Sequence, residues 1–205
     1  MSRTTTKPGA ATRAKVLAAA LTAIAEVGAD RVRVQDVADR AGISTGHVMY
    51  YFGSRDRILI DTLLLSEADL TEQLAGRIRR ASGPVEAIER LVRIYLPSGP
   101  HDVRWKLWAQ LIARPPTDTE TLQQFATVID AWAESLATVL AAGAHERILT
   151  CEDPADLAYR TCRLMDGYSL EVLLGGPGRS RAWAVRSVLT ALGREIGVTE
   201  WRTGR

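Results

Sequence analysis

The chain is 205 residues long and 46% hydrophobic, with 26 Lys and Arg against 24 Asp and Glu, enough to fill a small and a larger domain core but too balanced for a wholly basic nucleic-acid coat. The surplus of +2 is uneven: residues 1–57 hold nine basic against five acidic side chains, and the remainder 17 against 19, so a phosphate-binding surface is expected near the N-terminal end. Two cysteines, Cys151 and Cys162, without a CxxC or a nearby histidine pair, give neither a disulfide framework nor a zinc site.

Helical periodicity runs through almost every segment, and glycine and proline fall where helix ends belong. The spacing predicts an all-α chain of about nine helices. A basic arm over residues 1–11 is expected to be disordered; its Arg3 and Lys7, with Arg13 and Lys15 just beyond it, are expected to be drawn to phosphate, and no acid comes before Glu26. The first helix is predicted from about Thr12 to Val27, where Leu17, Ala20, Leu21, Ile24 and Val27 make one stripe and Gly28 the stop. Two short helices follow, about Val34–Ala41 and Thr45–Tyr51, and a long one starts after Ser54 and continues to about Arg80. Breaks at Ser82-Gly83-Pro84, Pro97-Ser98-Gly99-Pro100, Pro115-Pro116, Gly143, Asp153-Pro154 and Gly175-Gly176-Pro177-Gly178 separate five more. The domains expected from this layout are a small one over 12–53 and a larger one over 54–205.

Val34, Val37, Ala38 and Ala41 fall at i, i+3, i+4 and i+7, Gly42 supplies a tight turn, and Ile43 and Val48 can bury against the stripe. That is the outline of a helix-turn-helix. Ser44 can cap its second helix, leaving Thr45, Gly46, His47, Tyr50 and Tyr51 near the end that enters the major groove. Thr45, His47, Tyr50 and Gln35 are the candidates for base edges, and Arg33, Tyr51 and Arg55 for positioning on phosphate. An alternative reading packs Tyr50 and Tyr51 against the long helix. His47 has no local partners for a metal site.

The stretch AEVGADRVRVQDVADRAGISTGHVMYYFGSRDRI resembles the signature of the TetR family, through Gly28, Val34, Val37, Ala38, Ala41, Gly42, Ser44, Gly46, Phe52, Ser54 and Ile58. The resemblance implies a homodimeric transcriptional repressor whose operator affinity falls when a small molecule binds its helical C-terminal domain. The sequence departs from the family pattern at three places: Arg33 replaces a capping threonine, Met49 a frequent tyrosine, and Tyr51 a common histidine. Arg55 matches the family's lysine, which implies a backbone-phosphate contact.

Farther on, LWAQLIAR and LMDGYSLEVLLGG resemble the C-terminal domain of the choline-responsive betaine regulators of that family. Candidate effector residues are Tyr95, Trp105, Trp108, Phe125, Met165, Asp166 and Tyr168, with simple core packing as the alternative for each. Aromatic faces beside a carboxylate suit a cation, whereas Arg104 and Lys106 suit an anionic or neutral molecule. The last two helices carry more apolar surface than one sensor core needs, and the resemblance implies that they pair with a second copy.

No paired-carboxylate, Cys-His or metal-spaced cluster supports an enzyme, and no catalytic residue, metal or cofactor is expected. The first residues lack the apolar core of a signal peptide, and no stretch of about 18 uninterrupted apolar residues follows. A cytoplasmic protein without a membrane partner is therefore expected. A helix-turn-helix that only docks other proteins is the remaining rival, separable by the salt dependence of DNA binding.

Overall fold

A computed structural model describes residues 8–201. Among these the chain has nine α-helices and no strand: α1 Pro8–Val27, α2 Val34–Ala41, α3 Thr45–Phe52, α4 Arg55–Arg79, α5 Pro84–Tyr95, α6 Val103–Ala113, α7 Thr119–His145, α8 Pro154–Leu174 and α9 Arg181–Ile196. The all-α expectation is met. Helix α1 begins at Pro8 instead of Thr12, because proline at a first helical position gives up an N–H that would be unpaired anyway. Residues 8–11 of the expected arm are thus helical, and Arg3 and Lys7 lie outside the described residues.

Two compact units form among the described residues, one of 8–66 with Val103–Pro116, the other of Glu67–Asp102 with 117–201. The first unit therefore takes in the start of α4 and all of α6, which packs on α1. Its core is Val16, Ala20, Ala23 and Ile24 of α1, Val37 and Ala38 of α2, Val48 and Phe52 of α3, and Ile58, Leu59 and Leu63 of α4.

In the second unit α7 packs on α5 and α8, and α9 on α5 and α8. Ile88, Leu91, Leu136, Leu140, Met165, Val188 and Leu189 are buried there. Gly83 precedes Pro84 at the start of α5, and Asp153 caps α8 by accepting the Ala155 and Asp156 N–H groups. Among the described residues α7 is the one helix long and apolar enough by composition to cross a membrane. Here Phe125, Trp132, Leu136 and Leu140 supply its buried face. Cys162 is fully buried on α8, and that burial pushes its thiol up to about 12, so it packs as a small apolar side chain.

Candidate nucleic-acid interface and effector site

Arg33 stands at the N-cap of α2. The side chain of Asp36 accepts the Arg33 N–H at 2.8 Å, one half of a capping box; arginine has no acceptor with which to make the other half. The helix ends at Gly42, whose φ of 60° is left-handed, and the Gly42 N–H donates to Asp39 O at 3.2 Å. A side chain there would be strained, which is why glycine forms the turn. Ser44 then caps α3, its hydroxyl oxygen accepting the His47 N–H at 3.2 Å.

This turn buries Val48 and Phe52 and leaves Gly46, His47, Met49 and Tyr50 exposed; Tyr50 is 81% accessible. Tyr51 is half-buried. Its ring meets that of Tyr50 edge-on at 5.3 Å and stacks on His47 at 6.4 Å, and Gly9 of α1 lies beside it. Gln35 and Thr45 meet across the turn: the Thr45 hydroxyl donates to Gln35 Oε1 at 2.7 Å, while Gln35 Nε2 donates to Asp39 Oδ1 at 2.6 Å.

Behind this surface, two arginines that read in the sequence as phosphate seekers are engaged by the protein itself. Arg13 donates to the Tyr51 carbonyl at 2.7 Å, pairs with Asp61, and lies over the Phe52 ring at 4.5 Å. Arg57 meets the same Asp61 at 2.7 Å. Arg55 donates from Nε to Val32 O at 2.7 Å and from one terminal nitrogen to Ala29 O and Asp30 O. Those carbonyls belong to the turn before α2, where no helix supplies their donors. Sequence reasoning sees the charge of these side chains but not the oxygens that take it.

In the second unit, Tyr95 and Asp166 come together, the tyrosine hydroxyl donating to Asp166 Oδ1 at 2.5 Å. Burial and this carboxylate push the Tyr95 hydroxyl far above its ordinary range, so it stays protonated and donates. Arg163 reaches Asp166 at 3.3 Å. The Tyr95 ring meets Trp132 edge-on at 5.1 Å, and Trp132 Nε1 donates at 3.0 Å to Glu67, which is only 1% exposed.

Trp132 and Glu67 are absent from the sequence candidates, although Trp132 lies two turns beyond Phe125 on the same face of α7. Phe125 and Met165 are buried in this unit. Tyr168 points elsewhere: it meets Trp183 of α9 at 4.9 Å, and Arg179 lies over that tryptophan at 4.5 Å. Two residues along a helix turn the side chain by about 200°, so Asp166 and Tyr168 cannot share a face. Trp105 and Trp108 lie on α6 in the first unit, with Arg104 over the Trp105 ring at 5.1 Å.

Helices α2 and α3, joined by the Gly42 turn and with polar and aromatic groups exposed on the second, have the helix-turn-helix arrangement of a DNA-binding regulator. Residues 16–62 match the family model for bacterial regulatory proteins of the tetR family, and residues 84–197 match that of the BetI-type transcriptional repressor C-terminal domain. The chain belongs to the TetR family, in its BetI-type group. The HTH-type transcriptional regulator BetI of Agrobacterium fabrum is 33% identical over 86 residues, and the chain spans 42% of that relative's length, which is also 42% of its own.

A transcriptional regulator from Saccharomonospora viridis, solved in complex with choline, superposes with a TM-score of 0.79 at 24% identity, over 91% of this chain and 97% of that one. FadR from Bacillus subtilis, solved in complex with stearoyl-CoA, gives 0.69 at 19% identity over 87% and 96%. Both share the fold.

Proposed function

We propose that the chain is a transcriptional repressor that binds operator DNA through α2 and α3 and leaves it when a small cation binds the second unit. The observation that carries the DNA half is the exposed row Gly46, His47 and Tyr50 on a helix whose other face is locked by Val48, Phe52 and the Arg13 bond to Tyr51 O. An aromatic side chain as accessible as Tyr50 adds nothing to a core, and its ring carbons can meet a thymine methyl. Arg33 and Tyr51 are the positioning groups in this reading, with Arg55 holding the turn. Tyr50→Ala should weaken operator binding at least about tenfold, within the range for a lost base contact, and leave the circular dichroism melt unmoved. Fluorescence anisotropy against the DNA flanking its own gene measures it; unchanged affinity in the folded variant would sink the assignment.

The effector half rests on Tyr95, Trp132, Glu67 and Asp166, which offer aromatic faces and two carboxylates within one unit. Such a set suits a quaternary ammonium, and desolvated cation–π contacts are worth about 2 kcal/mol. The choline bound by the Saccharomonospora viridis regulator supports the same ligand class. Calorimetry with choline should give saturable heat, weakened roughly tenfold or more in Asp166→Asn; heat from an acyl-CoA and none from choline would overturn the cationic reading. Helix α4 has residues in both units, so it is the candidate element for passing on a coupling of about 1–3 kcal/mol.

Dimerisation belongs to the same proposal. Tyr159, Leu170 and Leu174 of α8 are exposed, Leu174 at 84%, a row that pairing with a second copy would bury. Sedimentation of Leu170→Glu/Leu174→Glu should show a monomer where the parent chain is a dimer. A regulator of this kind works in the cytoplasm, and binding, not catalysis, is its activity.

A further inference from the structure

We propose that Asp39 sets the base preference of the recognition helix by locking the Thr45 hydroxyl as an acceptor toward DNA. This rests on the DNA-binding reading above. A threonine hydroxyl is ordinarily ambiguous, able to donate or accept, and so reads any base edge. Here the ambiguity is removed from two hydrogen bonds away, through Gln35. An ionised Asp39 can only accept, so Gln35 must present Nε2 to it, at 2.6 Å. The amide oxygen of Gln35 is thereby turned to Thr45, at 2.7 Å, and the single Thr45 proton must point at it. Only lone pairs of Thr45 are left to face outward.

An acceptor-only group at the start of α3 is matched by bases with an exocyclic amine in the major groove, adenine N6 or cytosine N4, and opposed by the O6 of guanine and O4 of thymine. All three side chains lie on the surface, Gln35 and Asp39 exposed and Thr45 half-buried, so the chain of bonds is not needed to hold the core. Its polarity has an effect only when a base meets it.

Enrichment of sites from a random duplex pool tests the assignment. The position read by Thr45 is the one whose preference Thr45→Val abolishes; the wild-type protein should require adenine or cytosine there by at least about fivefold, the low end for one mismatched pair. Asparagine at 39 can donate as well as accept, which lets the Gln35 amide flip and frees the hydroxyl proton. Asp39→Asn should therefore reduce that discrimination to below about twofold while raising affinity for every sequence, since a carboxylate near phosphate is gone. Thr45→Ser keeps the hydroxyl and should keep the preference.

Guanine or thymine preferred at that position, no position altered by Thr45→Val, or full wild-type discrimination in Asp39→Asn would each overturn the proposal while leaving a DNA-binding regulator. A wild-type protein that enriches no site would overturn both.

Discussion

Replacing Asp61 with alanine is expected to destabilise the first unit by about 2 kcal/mol and to weaken DNA binding beyond the loss of folded protein. The carboxylate is 7% exposed and holds Arg13 and Arg57, whose side chains are 39% and 33% exposed. Breaking a fully buried ion pair by removing one partner costs about 3–5 kcal/mol; the guanidiniums keep part of their hydration, which brings the figure down toward about 2. The functional effect follows from geometry. Arg13 reaches the Tyr51 carbonyl, at the last turn of α3, from the same guanidinium that Asp61 fixes. Without the carboxylate the recognition helix loses an anchor at its C-terminal end while its exposed face is unchanged. Urea unfolding gives the stability, and anisotropy at concentrations where the variant is fully folded gives the affinity. A change under about 0.5 kcal/mol would put Asp61 among ordinary surface positions.

Gly143→Ala should also destabilise, by about 1–2 kcal/mol, against the usual sense of that substitution in a helix. Inside α7, alanine gains about 1 kcal/mol over glycine from backbone entropy. At this position, however, the added Cβ would stand 2.7 Å from Leu149 Cδ2, 2.9 Å from Leu149 Cγ and 2.9 Å from Pro84 Cβ. Leu149 is buried, and the Ile148 and Leu149 N–H groups both return to the Gly143 carbonyl, at 2.9 and 3.3 Å. Two of the crowding atoms therefore sit on a turn tied to the very residue that is enlarged and the third on the stiff Pro84 ring at the start of α5, and overpacking of this kind costs about 1–3 kcal/mol or more. A thermal melt that rose in the alanine variant would show that Leu149 swings aside freely.

The helix-turn-helix was legible because its signals are local: an apolar stripe, a glycine that only the left-handed turn needs, and a serine in capping position. The start of α1 was not, since Thr12 offers a capping hydroxyl in a run whose helix in fact opens at Pro8. Periodicity alone does not rank two such starts. For the candidate effector site, Tyr95 and Asp166 were readable as polar groups in apolar helices. Glu67 was hidden in a helix that also carries exposed acids, and Trp132 in a stripe that reads as core. Partners across helices, such as Tyr168 with Trp183, depend on rotations that composition does not contain.

The three carbonyls gripped by Arg55 have a bearing on how this region can drift. Ala29 and Val32 are buried and so constrained by packing, but Asp30 and Arg31 between them are exposed, and the clasp touches the main chain of the turn without reading its side chains. Mutations at positions 30 and 31 are thus tolerated by the joint they sit in, whereas position 55 carries the geometry for all of them. Natural variants should be permissive in the turn and strict at the arginine, so the surface charge of the turn can be retuned without disturbing the helices on either side.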